Sequence, residues 1–192
     1  MAKLYFRYGA MGASKTSQAL MTAYNFKERG RRVLVMKPSI DTREGTDIIK
    51  SRCGLESKVT LVDPEMNIWN LIFNMSPRPD CIIIDESQFL SKHNIENLCS
   101  IVDKLGISVI CYGLRADFQG NFFEGSHWLM AWADTIEEIK TICWACNKKA
   151  TFNARIKNGK IIREGNQVLI GGDESYAALC RNHWKEGVLK ND

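Results

Sequence analysis

Apolar and polar residues follow two alternating periods along the chain. KLYFRYG (3 to 9) is a short apolar-rich run closed by a glycine and predicts a strand. In KTSQALMTAYNFKER (15 to 29), Ala19, Leu20, Ala23 and Phe26 recur at helical spacing, and Gly30 stops the helix. RVLVMKP (32 to 38) predicts a second strand ended by Pro38, and a weaker one is expected within SRCGLESKVTLV. A helix is expected over 65 to 75. DCIIIDE (80 to 86) is a continuous apolar run closed by two carboxylates, a buried strand. A helix over 91 to 105 and a buried strand in GISVICYG (106 to 113) come next. From about 138 the pattern changes. EIKTICWAC, TFNARIKNGK and QVLIGG predict short antiparallel strands around a CxxC, and a last helix is expected over 175 to 189.

Strands alternating with helices, several apolar throughout, predict an α/β fold with a parallel sheet covered by helices on both faces. The expected division is an α/β domain over 1–137 and a small second domain over 138–192, with no repeat or linker between them.

Composition changes this picture little. The 192 residues carry a net charge of +4 from 26 basic and 22 acidic side chains. No dense Lys/Arg block marks a nucleic-acid partner. No apolar run is long enough for a membrane span, and MAKLYFRYGAMG lacks a signal-peptide core. A cytoplasmic protein is expected, where structural disulfides are rare. The seven cysteines then divide. Cys53, Cys81, Cys99 and Cys111 are scattered and read as small buried hydrophobes, while Cys143, Cys146 and Cys180 are spaced like metal ligands.

Three motifs carry chemistry. GAMGASKT (Gly9, Ala10, Met11, Gly12, Ala13, Ser14, Lys15, Thr16) follows a strand and opens a helix, as a phosphate-binding loop does. Lys15 would reach the β- and γ-phosphates of ATP, and Thr16 would hold Mg²⁺. Ser14 stands where the common pattern has glycine. If that position needs positive φ, the serine carries strain of about 1–2 kcal/mol. The bland alternative is an ordinary strand-to-helix turn. The second motif is CIIIDESQFL (81 to 90). An acid at the C-terminal end of a strand faces the same crevice as the loop, so Asp85 suits Mg²⁺ and Glu86 suits a general base. Alternatively, the pair is two solvated acids opening a loop. The third motif is Cys143-Trp-Ala-Cys146 with Cys180-Arg-Asn-His183. Three thiolates and an imidazole complete a tetrahedral set, so the site predicted is structural Zn²⁺ with no open position.

These motifs in this order, with IDESQF, YGLRADF and IGGDESY, resemble the thymidine kinase family, in its zinc-containing branch of bacteria, large phages and animal cytosol. The resemblance runs from Tyr8 to His183. It implies a fold like that of phosphate-loop NTPases with a small zinc-binding lasso. It also implies transfer of the ATP γ-phosphoryl group to the 5′-hydroxyl of thymidine and of deoxyuridine, in nucleotide salvage. Lys37, Asp41 and Arg43 match a segment near the phosphates. Asp85, Glu86, Ser87 and Gln88 match the Mg²⁺-side motif, with Glu86 as catalytic base beside Lys15. Met11, Phe89, Leu114, Phe118 and Phe123 match the wall of the thymine pocket. Backbone groups of Gln167, Val168, Leu169, Ile170 and Gly171 would hold the base edge, and Tyr176 would cover the nucleoside. A homotetramer and feedback inhibition by thymidine triphosphate are further family expectations. Asn153 departs from the small hydroxyl or methionine expected against the thymine methyl. Two other readings stay open: a thymidine- or dTTP-binding homologue weakened by Ser14, and an unrelated zinc-ribbon ATPase.

Overall fold

A computed structural model of the chain describes residues 1–41, 47–168 and 175–189. Among these, six strands form one parallel sheet. In chain order they are β1 (Leu4–Tyr8), β2 (Val33–Pro38), then β3 (Ile48–Lys50) and β4 (Glu56–Lys58) as a separate antiparallel hairpin, β5 (Thr60–Val62), β6 (Cys81–Ile84), β7 (Ser108–Gly113) and β8 (Thr135–Glu138). The order across the sheet is β5-β2-β6-β7-β1-β8. Helix α1 (Lys15–Glu28) lies against one face, and α2 (Ile68–Asn74), α3 (Lys92–Ser100) and α4 (Glu124–Trp132) lie against the other.

The period-2 alternation of strands explains the two layers. Cys81 and Ile83 of β6 pack with Ala19, Leu20 and Ala23 of α1. Ile82 and Ile84, one residue out of phase, pack with Ile68, Ile72, Ile95, Leu98 and Leu129. Both faces of β6 are therefore dry, which is why the run CIII needs no polar position.

The second unit begins after β8. Strands β9 (Thr141–Ile142) and β10 (Lys149–Ala150) form a hairpin around the CxxC. Strand β11 (Phe152–Lys157) lies between β12 (Lys160–Ile162) and β13 (Ser175–Leu179), and α5 (Arg181–Glu186) closes the unit. A separate apolar cluster, built from Ala154, Ala177, Leu179 and their neighbours, fills it.

Several expectations need correction. The last helix does not begin at 175. SYAAL is strand β13, because its antiparallel pairing with Phe152–Ile156 outweighs the helix preference of two alanines. The helix predicted over 91 to 105 is α-helical only to Ser100 and continues as a π-helical turn over Ile101–Leu105. The third strand is three short ones, β3, β4 and β5. Cys53 is exposed and Cys99 only half-buried, while Cys81 and Cys111 are buried as expected. Cys53 sits in the turn between β3 and β4, before Gly54, outside the layers that bury the other cysteines.

Candidate active site

The GAMGASKT loop joins β1 to α1. Gly9 donates its N–H to the Gly113 carbonyl, at the end of the neighbouring strand β7. A Cβ on Gly9 would lie 2.5 Å from the Ile139 carbonyl oxygen, so only glycine fits there. The loop is closed by its own bonds: Ala13 N–H to the Ala10 carbonyl, and Lys15 Nζ to the Gly9 and Ala10 carbonyls at 3.2 and 2.9 Å. Ser14 caps α1 in the left-handed region, at φ 59° and ψ 27°, with no capping bond from its side chain. The condition for strain at this position is therefore met: φ is positive, and the residue bearing it is not glycine.

Strand β6 delivers Asp85 and Glu86 beside that loop, at the carboxyl ends of the strands. Asp85 is buried at 3% exposure and donates its N–H to the Met36 carbonyl. Burial first, and the neighbouring charge of Glu86 second, push its carboxyl up to about 7, against the opposing pull of the Thr16 hydroxyl and Lys15. A buried carboxylate touching the hydroxyl of Thr16 is a donor pair that a divalent cation would relieve of its burial penalty, so these two residues fit Mg²⁺.

Glu86 also stands at positive φ, 51°. Its strained backbone is held by the next two residues. Gln88 donates its side-chain N–H to the Glu86 carboxylate and accepts from Leu114 N–H at 3.0 Å. The Ser87 hydroxyl donates to the Tyr112 carbonyl at 2.9 Å. Ser87 and Gln88 are buried behind the site, where they aim Glu86 and do not line the opening. Helix α4 presses on this turn: a Cβ on Gly125 would stand 2.4 Å from the Ser87 carbonyl oxygen.

Met11, Gly12, Ser14, Lys15, Thr16, Asp41, Asp85, Glu86 and Leu114 share one cleft of about 370 Å³. Gly9, Ala10 and Ala13 shape the loop from behind. Asp41 is held by Lys37 at 4.0 Å, both side chains being buried. Arg43 lies outside the described residues. The same cleft takes Lys50, Ser51 and Arg52 from the β3 end, which sequence reasoning missed. The signal was the pair of cations in KSRCG before a glycine turn. Next to them the Cys53 thiol accepts from or donates to the Ser17 and Ser51 hydroxyls at 3.3 and 3.2 Å, and these contacts, Ser17 first, lower its pKa.

The residues expected on the nucleoside side gather in part. Phe89 and Phe123 meet edge to face at 5.5 Å. Phe118 is 2% exposed and packs under the guanidinium of Arg155. Gln167 donates from its side-chain amide to Asp117 Oδ2 and to the Phe122 carbonyl. Tyr176 accepts from Arg155 through its hydroxyl. Val168 is half-buried, and Leu169, Ile170 and Gly171 lie outside the described residues. Asn153 makes two defined bonds. Its Oδ1 accepts Met11 N–H at 2.8 Å, and its Nδ2 donates to the Ala116 carbonyl at 3.0 Å. The second unit is thereby bonded to the loop between β1 and α1.

Within the second unit, Cys143, Cys146, Cys180 and His183 bring their ligand atoms within 4.8 Å of one another. The Cys143 and Cys180 sulfurs lie 3.5 and 3.6 Å from His183 Nδ1, and the Cys146 and Cys180 sulfurs are 3.9 Å apart. A tetrahedron with Zn–S of about 2.3 Å and Zn–N of about 2.0 Å has edges of about 3.5 to 3.8 Å, so the cluster fits Zn²⁺. Burial raises the Cys143 thiol, but contacts from His183 and from backbone N–H groups outweigh it and bring the thiol down to about 6. A thiol already inclined to lose its proton suits a metal ligand. Four protein ligands would leave a tetrahedral ion no open position, the arrangement of structural sites.

The chain matches the family model described as thymidine kinase over residues 2–184. It is 46% identical over 184 residues to a thymidine kinase of Streptococcus pyogenes, an alignment covering 96% of this chain and 97% of that protein. Proteins of the same description from Streptococcus agalactiae and Lactococcus lactis are 45% and 44% identical over the same shares of each chain.

Proposed function

The chain belongs to the thymidine kinase family, and on that premise we propose that it transfers the γ-phosphoryl group of ATP to the 5′-hydroxyl of thymidine, and of deoxyuridine. The observation that carries the reading is the meeting of Lys15, Thr16, Asp85 and Glu86 in one cleft at the carboxyl ends of β1 and β6. Residues 1–137 hold ATP in this reading, and 138–192 form the zinc-bound cover of the nucleoside.

The roles follow from position. The amino end of α1 and the loop's N–H groups attract the phosphates, and Lys15 swings from the Gly9 and Ala10 carbonyls to the β- and γ-oxygens. Asp41 and the cations Lys50 and Arg52 border the same phosphates. Thr16 and Asp85 hold Mg²⁺, which when bound neutralises charge on the β- and γ-phosphates. Glu86, fixed by Gln88, accepts the proton of the 5′-hydroxyl as its oxygen attacks. Phe89, Phe118, Phe123, Leu114 and Met11 enclose the base, an apolar wall suited to a planar ring with a methyl group. A homotetramer, a cytoplasmic location and occupation of the nucleoside pocket by thymidine triphosphate as inhibitor belong to the same proposal.

The family match over nearly the whole chain does not favour an unrelated ATPase or a binding protein. The test is purified protein with Mg·ATP and thymidine, beside Glu86→Gln. The wild type should form thymidine monophosphate. The variant should lose turnover by about 10²- to 10⁴-fold while binding thymidine within a few-fold of the wild type. Wild-type kcat in Glu86→Gln would remove Glu86 from its role as base, and no product from the wild type would sink the reading.

A further inference from the structure

Strand β11 points Asn153 and Arg155 to the same side, since they are two residues apart. Both are polar and both are buried, Arg155 at 1% exposure. Asn153 serves the phosphate loop. Arg155 serves a different set. Its guanidinium carbon stands 3.8 Å from the centroid of the Phe118 ring. Its Nε donates to the Tyr176 hydroxyl at 2.8 Å, and a terminal nitrogen donates to the Gln167 carbonyl at 3.2 Å. Tyr176 is the cross-strand partner of Arg155 in β13, so phenol and guanidinium meet on one face of that sheet. Gln167 is bonded in turn to Asp117, next to Phe118 in sequence. Three chain segments, at Phe118, Gln167 and Tyr176, thus converge on one buried cation.

Burying a guanidinium is more costly than burying an apolar side chain of the same volume. No other side chain offers both a flat face for an aromatic ring and a fork of donors for a hydroxyl and a carbonyl. With its guanidinium against one face of Phe118, a base is confined to the ring's other face or its edge.

We infer that Arg155 is the positioning residue of the nucleoside pocket: it sets the Phe118 ring and the Tyr176 hydroxyl relative to each other and thereby governs nucleoside affinity without touching the reacting atoms. The inference rests on the thymidine reading of the site given above. It separates nucleoside binding, controlled from Arg155, from ATP binding, to which β11 connects through Asn153.

The test uses Arg155→Met, which keeps the apolar stem, and Arg155→Lys, which keeps the charge and loses the plane. Steady-state kinetics in both substrates, calorimetric binding of thymidine without ATP, zinc content and melting temperature are measured together. Both variants should raise the KM and Kd for thymidine roughly tenfold or more, with the KM for ATP within about twofold and zinc retained. Tyr176→Phe should give a smaller loss of the same kind and add nothing to Arg155→Met, because the same bond is already gone. An unchanged thymidine KM would overturn the assignment. So would a parallel rise in both KM values with a fall in melting temperature, the mark of a merely structural residue. A wild type that phosphorylates no thymidine would overturn the thymidine reading and this assignment with it. An active wild type with an unperturbed Arg155→Met would overturn the assignment alone.

Discussion

Replacing Ser14 by glycine should stabilise the protein and leave its use of ATP almost unchanged. Ser14 stands at φ 59°, where an L-residue with a Cβ is strained by about 1–2 kcal/mol. Its exposed side chain caps nothing, so no bond is lost with it. Glycine removes the strain but loses more backbone freedom on folding, roughly 0.5–1 kcal/mol. The net gain is therefore about 0–1.5 kcal/mol, or up to about 6 °C in melting temperature for a chain of this size. The effect on ATP depends on where the strain resides. The loop's shape is set by its internal backbone bonds, from Ala13 N–H to the Ala10 carbonyl and from Gln18 N–H to the Ser14 carbonyl, which do not depend on where the Lys15 ammonium points. The strain thus belongs to the folded loop as such and largely cancels between free and ATP-bound protein. Thermal unfolding and the KM for ATP, measured side by side on wild type and Ser14→Gly, decide the matter. A KM for ATP falling more than about tenfold, with no change in melting temperature, would show that the strain is imposed by binding and would refute this reasoning.

Three further outcomes are expected. With Asp85 raised to about 7 by burial and by Glu86, its proton favours the folded protein; that contribution is complete below the ordinary carboxylate range and is lost as pH rises through about 7. A cation at Asp85 must displace this proton, so Mg·ATP binding, corrected for protonation of ATP itself, should weaken by up to tenfold per pH unit below about 7; equal affinity at pH 6 and 8 would contradict it. Stripping metal with a strong chelator should expose Cys143, Cys146 and Cys180 to thiol reagents and unfold the second unit, because a structural zinc contributes about 10–16 kcal/mol, as much as a whole domain's stability. A stripped chain that keeps its melting temperature would speak against a structural metal. Asn153→Ala leaves the Met11 N–H and the Ala116 carbonyl without their partner, at roughly 1–3 kcal/mol for each group that water cannot reach. The KM for ATP should rise and the melting temperature should fall; an unchanged KM would mean that the phosphate loop does not depend on the second unit.

Much of the site was legible because its parts are short in sequence. GAMGASKT, IDES and the two knuckles are each defined by spacing along one segment, and the strand ends that carry them are fixed by the alternation of apolar runs with helices. Local spacing determines which groups a loop or strand end can present, so the gathering of Lys15 and Thr16 with Asp85 and Glu86, and of Cys143 and Cys146 with Cys180 and His183, follows from the residues themselves. The errors lie where partners are distant. SYAAL has the composition of a helix and becomes β13 because β11, earlier in the chain, offers an open edge. Cys53 looks like its buried namesakes until the hairpin that bears it is found at the rim of the cleft. Arg155 and Asn153 sit in a stretch that reads as an ordinary short strand. Only the folded chain brings Phe118, Tyr176 and Gln167 to the first, and Met11 and Ala116 to the second. A buried polar side chain is determined by the groups that satisfy it, and those groups lie up to 142 positions away for Asn153 and Met11. The chemistry of this protein is therefore determined by its local motifs, while the coupling of its two halves is decided by tertiary packing, which no single segment encodes.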